Sequence, residues 1–322
     1  MITYECRRLR TLADEERWPE LLGLYRESRA VGVALRGEAQ GAAETGPLGH
    51  LIAYGAPPEL AARLFDPDGG PGSAATVADH DAGPLWEVLA TRHSWRRLAP
   101  LLGPARVRRL VQHTRVLLGE ELDHGAEPDR DGVPLTLEPW ELAGWEPGAR
   151  VREYLRTGGA RRSLLTLPAG REGLGPVELP EPGTLVRELA ATRLLAAAVP
   201  WATARCVRGS GPAAAARLAT SGQVTGGYLP FGAVYPALLQ AASDGPARGS
   251  AQGRIAVWRL LAAMTGESAV GEVETLVSRL RCFTWHEPTD ELRFVHLALE
   301  DPATGLAWAL SGAVHEGVRA GR

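Results

Sequence analysis

The sequence predicts an α+β protein with a mainly helical N-terminal half and a C-terminal antiparallel β-meander packed on a buried helix. Three observations lead to this fold class. Apolar residues recur at helical spacing through the first half, an almost wholly apolar helix is predicted at residues 251–264, and three apolar runs separated by turn residues follow it. We place a boundary near residue 150, which gives a mainly helical domain, 1–150, and an α+β domain, 151–322.

The N-terminal half contains amphipathic stretches joined by Gly- and Pro-rich segments. Their apolar spacing predicts helices at residues 1–38, 85–102 and 104–118. Segment 37–49 is rich in Ala and Gly and lacks periodicity, so we predict a loop there.

The first part of the C-terminal half combines an apolar helix with an aromatic, Gly-rich segment. Residues 183–206 are predicted to be helical with an interruption at Pro200, and residues 220–235 are predicted to be a loop. That loop contains three aromatic residues and leads towards the buried helix, so the loop and the helix could line a ligand pocket. The candidate ligand-binding residues are Tyr228, Phe231, Tyr235, Trp258 and Arg254. The alternative is a set of core aromatic residues flanked by turn glycines.

The helix at residues 251–264 has apolar side chains on nearly every face, so other elements have to cover it on several sides. Ser250 is a suitable N-cap and Gly266 a suitable C-terminal stop. The three apolar runs of the meander follow at residues 281–287, 291–300 and 305–316.

A three-residue loop at 288–290 would set the register of the first two meander strands. In that register Cys282 lies directly opposite His296, and His286 lies on the same face. Trp285 then lies on the other face, which the buried helix covers.

Cys282, His296 and His286 are therefore the candidate catalytic residues. An imidazole beside a thiol can generate a thiolate nucleophile. One cysteine and two histidines could also bind a metal ion, but a fourth ligand is not identifiable, so we assign no metal site and no cofactor. The alternative is a buried cysteine, with both histidines hydrogen-bonded to backbone or hydroxyl groups. A one-residue change of register would separate the pair.

The composition excludes several mechanisms. All 35 basic residues are arginine, and the sequence contains neither lysine nor asparagine, a bias typical of a GC-rich genome. The absence of lysine excludes Schiff-base catalysis, a phosphate-binding loop with its lysine, and a protein-kinase site. Arginine pairs could bind oxyanions or form a solvated surface balanced by carboxylates, at residues 7–8, 96–97, 108–109 and 161–162.

Charge and hydropathy limit the partners and the compartment. A net charge of −3 argues against a nucleic-acid partner, and the sequence lacks an apolar run long enough to span a membrane. The N-terminal segment is charged where a secretory signal would be apolar, so we expect a cytoplasmic protein. Its 3 cysteines are widely separated, so a disulfide framework is not expected.

The segments GGYLPFGAVYPALLQ and GRIAVWRLLAAMTG, followed by FTWHEPTDELRF, resemble an actinobacterial family known only as a domain of unknown function. This resemblance covers mainly the C-terminal two-thirds of the chain and implies no activity, cofactor or catalytic residue. Because a catalytic motif is not identifiable, we expect first a binding or regulatory protein with an unknown protein or small-molecule partner. An enzyme of a specialised pathway, using the Cys/His face or the aromatic loop, is the alternative. A structural partner in an assembly is the third possibility.

Overall fold

The computed structural model describes residues 2–66, 83–122, 126–145, 149–161, 165–169, 171–245, 248–266, 270–288, 290 and 293–313. Its helices are α1 (Ile2–Asp14), α2 (Trp18–Arg36), α3 (Glu38–Gly55), α4 (Pro58–Ala61) continued by a 3-10 turn (Ala62–Phe65), α5 (Leu85–Arg92), α6 (Trp95–Leu98), α7 (Ala105–Leu117), α8 (Pro139–Leu142), α9 (Ala190–Ala198), α10 (Gly211–Ala215), α11 (Phe231–Ala242), α12 (Ser250–Thr265) and α13 (Val270–Arg279). Its strands are β1 (Glu153–Tyr154), β2 (Ala160–Arg161), β3 (Gly175–Glu178), β4 (Thr184–Leu185), β5 (Thr203–Arg208), β6 (Gln223–Leu229), β7 (Arg281–His286), β8 (Phe294–Asp301) and β9 (Leu306–Ala313).

Helices α1 to α7 pack around an apolar core that includes the fully buried Leu21, Ile52 and Leu89. The loop predicted at residues 37–49 is wrong, because helix α3 occupies most of that segment and packs against α2 and α5. A side chain at Gly49 would lie 2.6 Å from Leu85 Cδ1. The small residues of this segment therefore allow helices to approach closely instead of forming a loop.

Seven strands of the described residues form one antiparallel sheet in the order β3-β6-β7-β8-β9-β5-β4. The predicted meander, β7-β8-β9, forms the centre of this sheet. The α+β fold class is therefore confirmed, whereas the boundary near residue 150 stays a prediction.

The register of β7 and β8 differs from the predicted one. Cys282 pairs with Leu299, three positions beyond His296, because the connection between the strands extends from residue 287 to residue 293. A shift by an odd number of residues reverses the faces of β7 relative to those of β8. The prediction that Cys282 and His296 share a face is therefore wrong.

The two faces of the sheet are covered by different helices. Helices α9 and α11 lie against one face, and α12 packs behind them on α7, α9, α11 and α13 within the same apolar core. Helix α10 covers part of the opposite face, where Trp285 lies with Phe283. Trp285 is thus on the face away from α12, contrary to the prediction, because the β7 register places it there.

Two predicted segments before α12 have a different structure. The predicted loop 220–235 contains strand β6 and the start of α11, and the predicted helix 183–206 contains α9 between β4 and β5. A side chain at Gly226 would lie 2.8 Å from Phe283 Cζ. Glycine in β6 therefore makes room for an aromatic ring on the neighbouring strand, and the predicted loop at this position is wrong.

Candidate functional site

Cys282 lies in the apolar core between the sheet and the helices. Its side chain is fully buried, and this burial raises the pKa of the thiol well above its ordinary value. The structure does not place it opposite His296, because Leu299 is its cross-strand partner. Formation of a thiolate at this position is therefore unfavourable.

His296 instead joins a hydroxyl group to a carboxylate. Its Nδ1 lies 2.9 Å from Ser311 Oγ, and its Nε2 lies 2.7 Å from Asp290 Oδ1. His286 Nδ1 lies 3.4 Å from the other oxygen of Asp290. The structure thus brings His286 and His296 together through Asp290, a residue that the sequence indicated only as part of a turn.

Arg254 lies at the centre of a buried polar network and is not exposed to solvent. Its Nε and Nη2 donate to the two oxygens of Glu141 over 2.7 and 2.8 Å, and its Nη1 donates to His113 Nδ1 over 2.7 Å. Tyr235 and Trp258 also donate to Glu141, over 2.9 and 3.1 Å. The network ties the α8 segment to α7, α11 and α12.

The protonation states within this network follow from its geometry. Because His113 accepts from Arg254 at Nδ1, its Nε2 carries the proton and donates to Asp129 over 2.9 Å. Burial lowers the pKa of His113, which favours the neutral ring. Burial also raises the pKa of Tyr235, as does the charge of Glu141, so its hydroxyl stays protonated. These groups already have their partners, which is typical of a structural network.

The structure brings four of the five predicted ligand-binding residues together around Glu141 and Trp140, and it places Tyr228 apart from them. Tyr228 lies on the sheet surface, 40% exposed, where the Arg281 guanidinium lies 4.2 Å from its ring centroid. Phe231 is buried and packs edge-to-face on Trp140 with ring centroids 5.3 Å apart. The role of these residues in ligand binding stays a prediction, and their contacts are those of packing and of a surface cluster.

A cleft lined by three arginines opens between α7, α9 and α12; we call it the basic cleft. Its volume is about 360 Å³, and its lining residues are Arg106, Leu194, Ala197, Ala198, Ala242, Arg248, Gln252, Ala256 and Arg259. Helix α12 contributes residues 252, 256 and 259, which share one helical face. Ala242 and the α9 residues supply the apolar floor.

The three guanidinium groups of the basic cleft have different environments. Arg248 donates to the carbonyls of Ala197 and Ala198 over 3.0 and 2.7 Å, which holds it at the end of α9. Arg259 is half exposed and lies 3.5 Å from Asp131. Arg106 is exposed and forms neither a hydrogen bond nor an ion pair with another described residue.

Sequence reasoning missed the basic cleft, because its arginines are widely separated in the chain. Arg248 and Arg259 stand just before and within the predicted buried helix, and Arg106 begins a predicted helix elsewhere. An exposed arginine on the outer face of an apolar helix was the available signal. It carries no information on which helices pack beside it.

The comparisons with known proteins place the chain in a family without an assigned activity. A family model described as "Family of unknown function (DUF6183)" matches residues 43–291. The resemblance to a family of unknown function is thereby confirmed, and its actinobacterial source stays a prediction. Neither the curated proteins nor the solved structures contain a match to the chain.

Two further findings concern membranes and metals. Among the residues that the structure describes, none of the helices combines the length and apolar character needed to cross a bilayer. Within the same described ranges, His, Cys, Asp and Glu side chains do not form a group of three or more that could hold a metal ion.

Proposed function

Because the chain belongs to the Family of unknown function (DUF6183), from which an activity does not follow, we propose its function from the basic cleft. The protein binds a small organic oxyanion there, a phosphate or carboxylate group attached to an apolar body. This proposal refines the expectation of a binding protein with a small-molecule partner.

The observation that carries the proposal is the charge of the lining. Among the described residues that line the basic cleft, three carry guanidinium groups and none carries a carboxylate; Asp131, 3.5 Å from Arg259, is outside this lining. Guanidinium groups bind phosphate and carboxylate in a bidentate manner and stay charged at any physiological pH. Arg106 stands in the first turn of α7, whose 13 residues also direct the positive end of a helix dipole towards this side of the cleft.

The floor of the cleft favours an organic ligand over a bare ion. Leucine and alanine side chains lie between the arginines, so a ligand with an apolar body would bury hydrocarbon surface there. The volume of about 360 Å³ lies at the lower end of the range for small-molecule sites.

The lining also favours binding over catalysis. Its side chains are Arg, Leu, Ala and Gln, which supply neither a nucleophile nor a general base near neutral pH. A ligand bound at this cleft would therefore be retained and released unchanged.

The test is calorimetric titration of the full chain with three probes: phenyl phosphate, benzoate and inorganic phosphate. We expect one of the two aryl anions to bind with a single site and inorganic phosphate to bind at least tenfold more weakly. The paired substitution Arg106→Gln and Arg259→Gln should weaken aryl-anion binding at least tenfold. Replacing the exposed Arg96 and Arg97 by Gln changes the net charge equally and should leave binding unchanged.

A variant with unchanged charge tests the contribution of the apolar floor separately from that of the arginines. Ala256→Leu should block aryl-anion binding while the arginines remain in place. Absence of binding by every probe would refute the proposal, as would equal binding by the wild type and the Arg106/Arg259 variant. Inorganic phosphate binding as tightly as phenyl phosphate would show an adventitious ion only and would also refute it.

A further inference from the structure

A continuous series of hydrogen bonds at one end of the central strands joins Ser311, His296 and Asp290, none of which is a lining residue of the basic cleft. Ser311 and His296 are direct cross-strand partners on β9 and β8. The imidazole lies between the hydroxyl, at 2.9 Å, and the carboxylate, at 2.7 Å. A hydroxyl, an imidazole and a carboxylate in this order are the groups that activate a serine nucleophile.

The direction of the hydrogen bonds follows from the carboxylate. A carboxylate only accepts, so His296 carries its proton on Nε2 and donates it to Asp290. Its Nδ1 is then an acceptor for the Ser311 hydroxyl and a base for its proton. The two ring nitrogens have exchanged roles relative to the usual Ser-His-Asp arrangement, and the direction of proton transfer is the same.

The imidazole is held rigidly in this orientation. Trp285 stacks on the His296 ring with centroids 5.2 Å apart, and the Phe294 ring stacks on it at 5.5 Å. Asp290 is itself held by the backbone N–H of Glu287, which donates to Oδ2 over 2.8 Å. A base that cannot rotate away from its hydroxyl is preorganised for proton transfer.

Of the three hydrogen-bonded side chains, that of Ser311 is the one that solvent can reach. His296 is buried, whereas Ser311 is only half-buried, and Thr203 and Arg205 on β5 are exposed. Thr203 pairs with Ser311, and Arg205 lies two positions along β5 on the same face. Helix α10 covers the other part of this face, around Val207. A substrate can therefore approach Ser311 from the side where Thr203 and Arg205 are exposed. The Arg205 guanidinium there donates to the Ala204 carbonyl over 2.9 Å.

We propose that Ser311 is a nucleophile that accepts acyl groups from small anionic esters, with His296 as its base. Ser311 Oγ bonds to the acyl carbon while its proton passes to His296 Nδ1. The ester C–O bond breaks, and the leaving alkoxide takes that proton; water then hydrolyses the acyl-serine. Arg205 is the cationic side chain on the same face, two positions along β5 from the partner of Ser311, and it supplies the charge that stabilises the oxyanion. Asp290 is a positioning residue.

The test is covalent labelling of the native full chain with an alkyl fluorophosphonate, in which Ser Oγ bonds to phosphorus and fluoride leaves. Intact mass and peptide mapping should show one adduct, on Ser311. Ser311→Ala should abolish it, and Ser278→Ala, which removes an exposed serine on α13, should not. His296→Gln should slow labelling about 100-fold, in line with removal of a general base.

The positioning role of Asp290 has its own readout. Asp290→Asn should slow labelling about tenfold, and Asp290→Glu should restore part of that rate. Circular dichroism and thermal unfolding establish that each variant is folded. An unlabelled wild type, an adduct on another serine, or wild-type labelling by folded His296→Gln would each overturn the proposal. Equal labelling of the Asn and Glu variants at Asp290 would remove its positioning role.

Discussion

Arg254 has a structural role that follows from its hydrogen bonds. Its guanidinium is fully buried, and its donors meet five acceptors: both oxygens of Glu141, His113 Nδ1 and the carbonyls of Pro134 and Thr136. Burial alone would lower the pKa of Arg254, but the hydrogen bond to Glu141 and the charge of that carboxylate raise it, so the guanidinium stays charged.

Replacing Arg254 by Met should therefore destabilise the protein by about 3–5 kcal/mol, because it leaves the buried Glu141 carboxylate without its counter-charge. Urea unfolding measures this change. Arg259→Met, at a half-exposed arginine of the same helix, should cost no more than about 0.5 kcal/mol. A cost below about 1 kcal/mol at Arg254 would contradict the structural role.

Cys282 should be inert in the folded protein, since burial in an apolar core raises the pKa of its thiol. Treatment with a disulfide reagent at pH 8, followed by peptide mapping, should leave Cys282 unmodified until the chain is unfolded. Cys206 is a matched comparison, because it is also buried and its pKa is raised to about 11. Rapid native labelling of Cys282 would support the catalytic role that the sequence suggested.

Individual side-chain partners were the least predictable feature. The prediction that Cys282 lies opposite His296 depends on the length of one loop. An error of an odd number of residues in the register places the two side chains on opposite faces of the sheet. Arg254 was assigned to a ligand pocket because one sequence does not show that Glu141, far earlier in the chain, lies beside it.

Helices α11 and α12 approach closely at Gly253. A Cβ there would lie 2.8 Å from the Leu239 carbonyl oxygen and would overlap Ser243 Oγ. In a helix, replacing Gly by Ala normally stabilises by up to about 1 kcal/mol. Here overpacking opposes that gain, because the carbonyl belongs to a helical backbone that cannot rotate away.

We therefore expect Gly253→Ala to lower the free energy of unfolding by about 1–3 kcal/mol. Gly23→Ala is the control, since Gly23 lies inside α2 and a Cβ added there would have no atom of another described residue outside that helix within 4 Å. That control should raise the free energy of unfolding by about 0.5–1 kcal/mol. Stabilisation by Gly253→Ala, measured in the same urea experiment, would show that α11 and α12 do not pack as described.

Elements with a strong local pattern were predictable, and elements defined by their neighbours were not. The apolar runs of α12 and of the meander carry their own periodicity, so their type and approximate bounds followed from the sequence. Strand β6 contains Gly226 and Gly227, and its identity depends on pairing with β3 and β7. Glycines packed against a neighbouring ring look the same in a sequence as glycines in a loop.

Helix α12 contributes side chains to both large apolar cores. Ala251 and Ile255, near its start, belong to the core of the N-terminal helices, whereas Trp258 and Leu261 belong to the core beneath the sheet. One rigid helix shared by two cores couples their stabilities.

Unfolding in urea should therefore occur in one transition, with tryptophan fluorescence and far-ultraviolet circular dichroism changing together. Ile255→Ala, which removes apolar contacts from the N-terminal core, should shift the whole curve by about 2–4 kcal/mol without splitting it. Two transitions, of which Ile255→Ala moves only one, would instead support independent units with a boundary near residue 150.

Oxyanion binding by this protein depends on the basic cleft, which forms where α7, α9 and α12 meet. A crystal structure of the full chain grown with phenyl phosphate tests it most directly. We expect the phosphate oxygens within about 3 Å of the Arg106 and Arg259 guanidinium groups and the ring on the alanine floor. Phenyl phosphate bound elsewhere, for example on the exposed Arg96 and Arg97, with the cleft empty, would contradict the account.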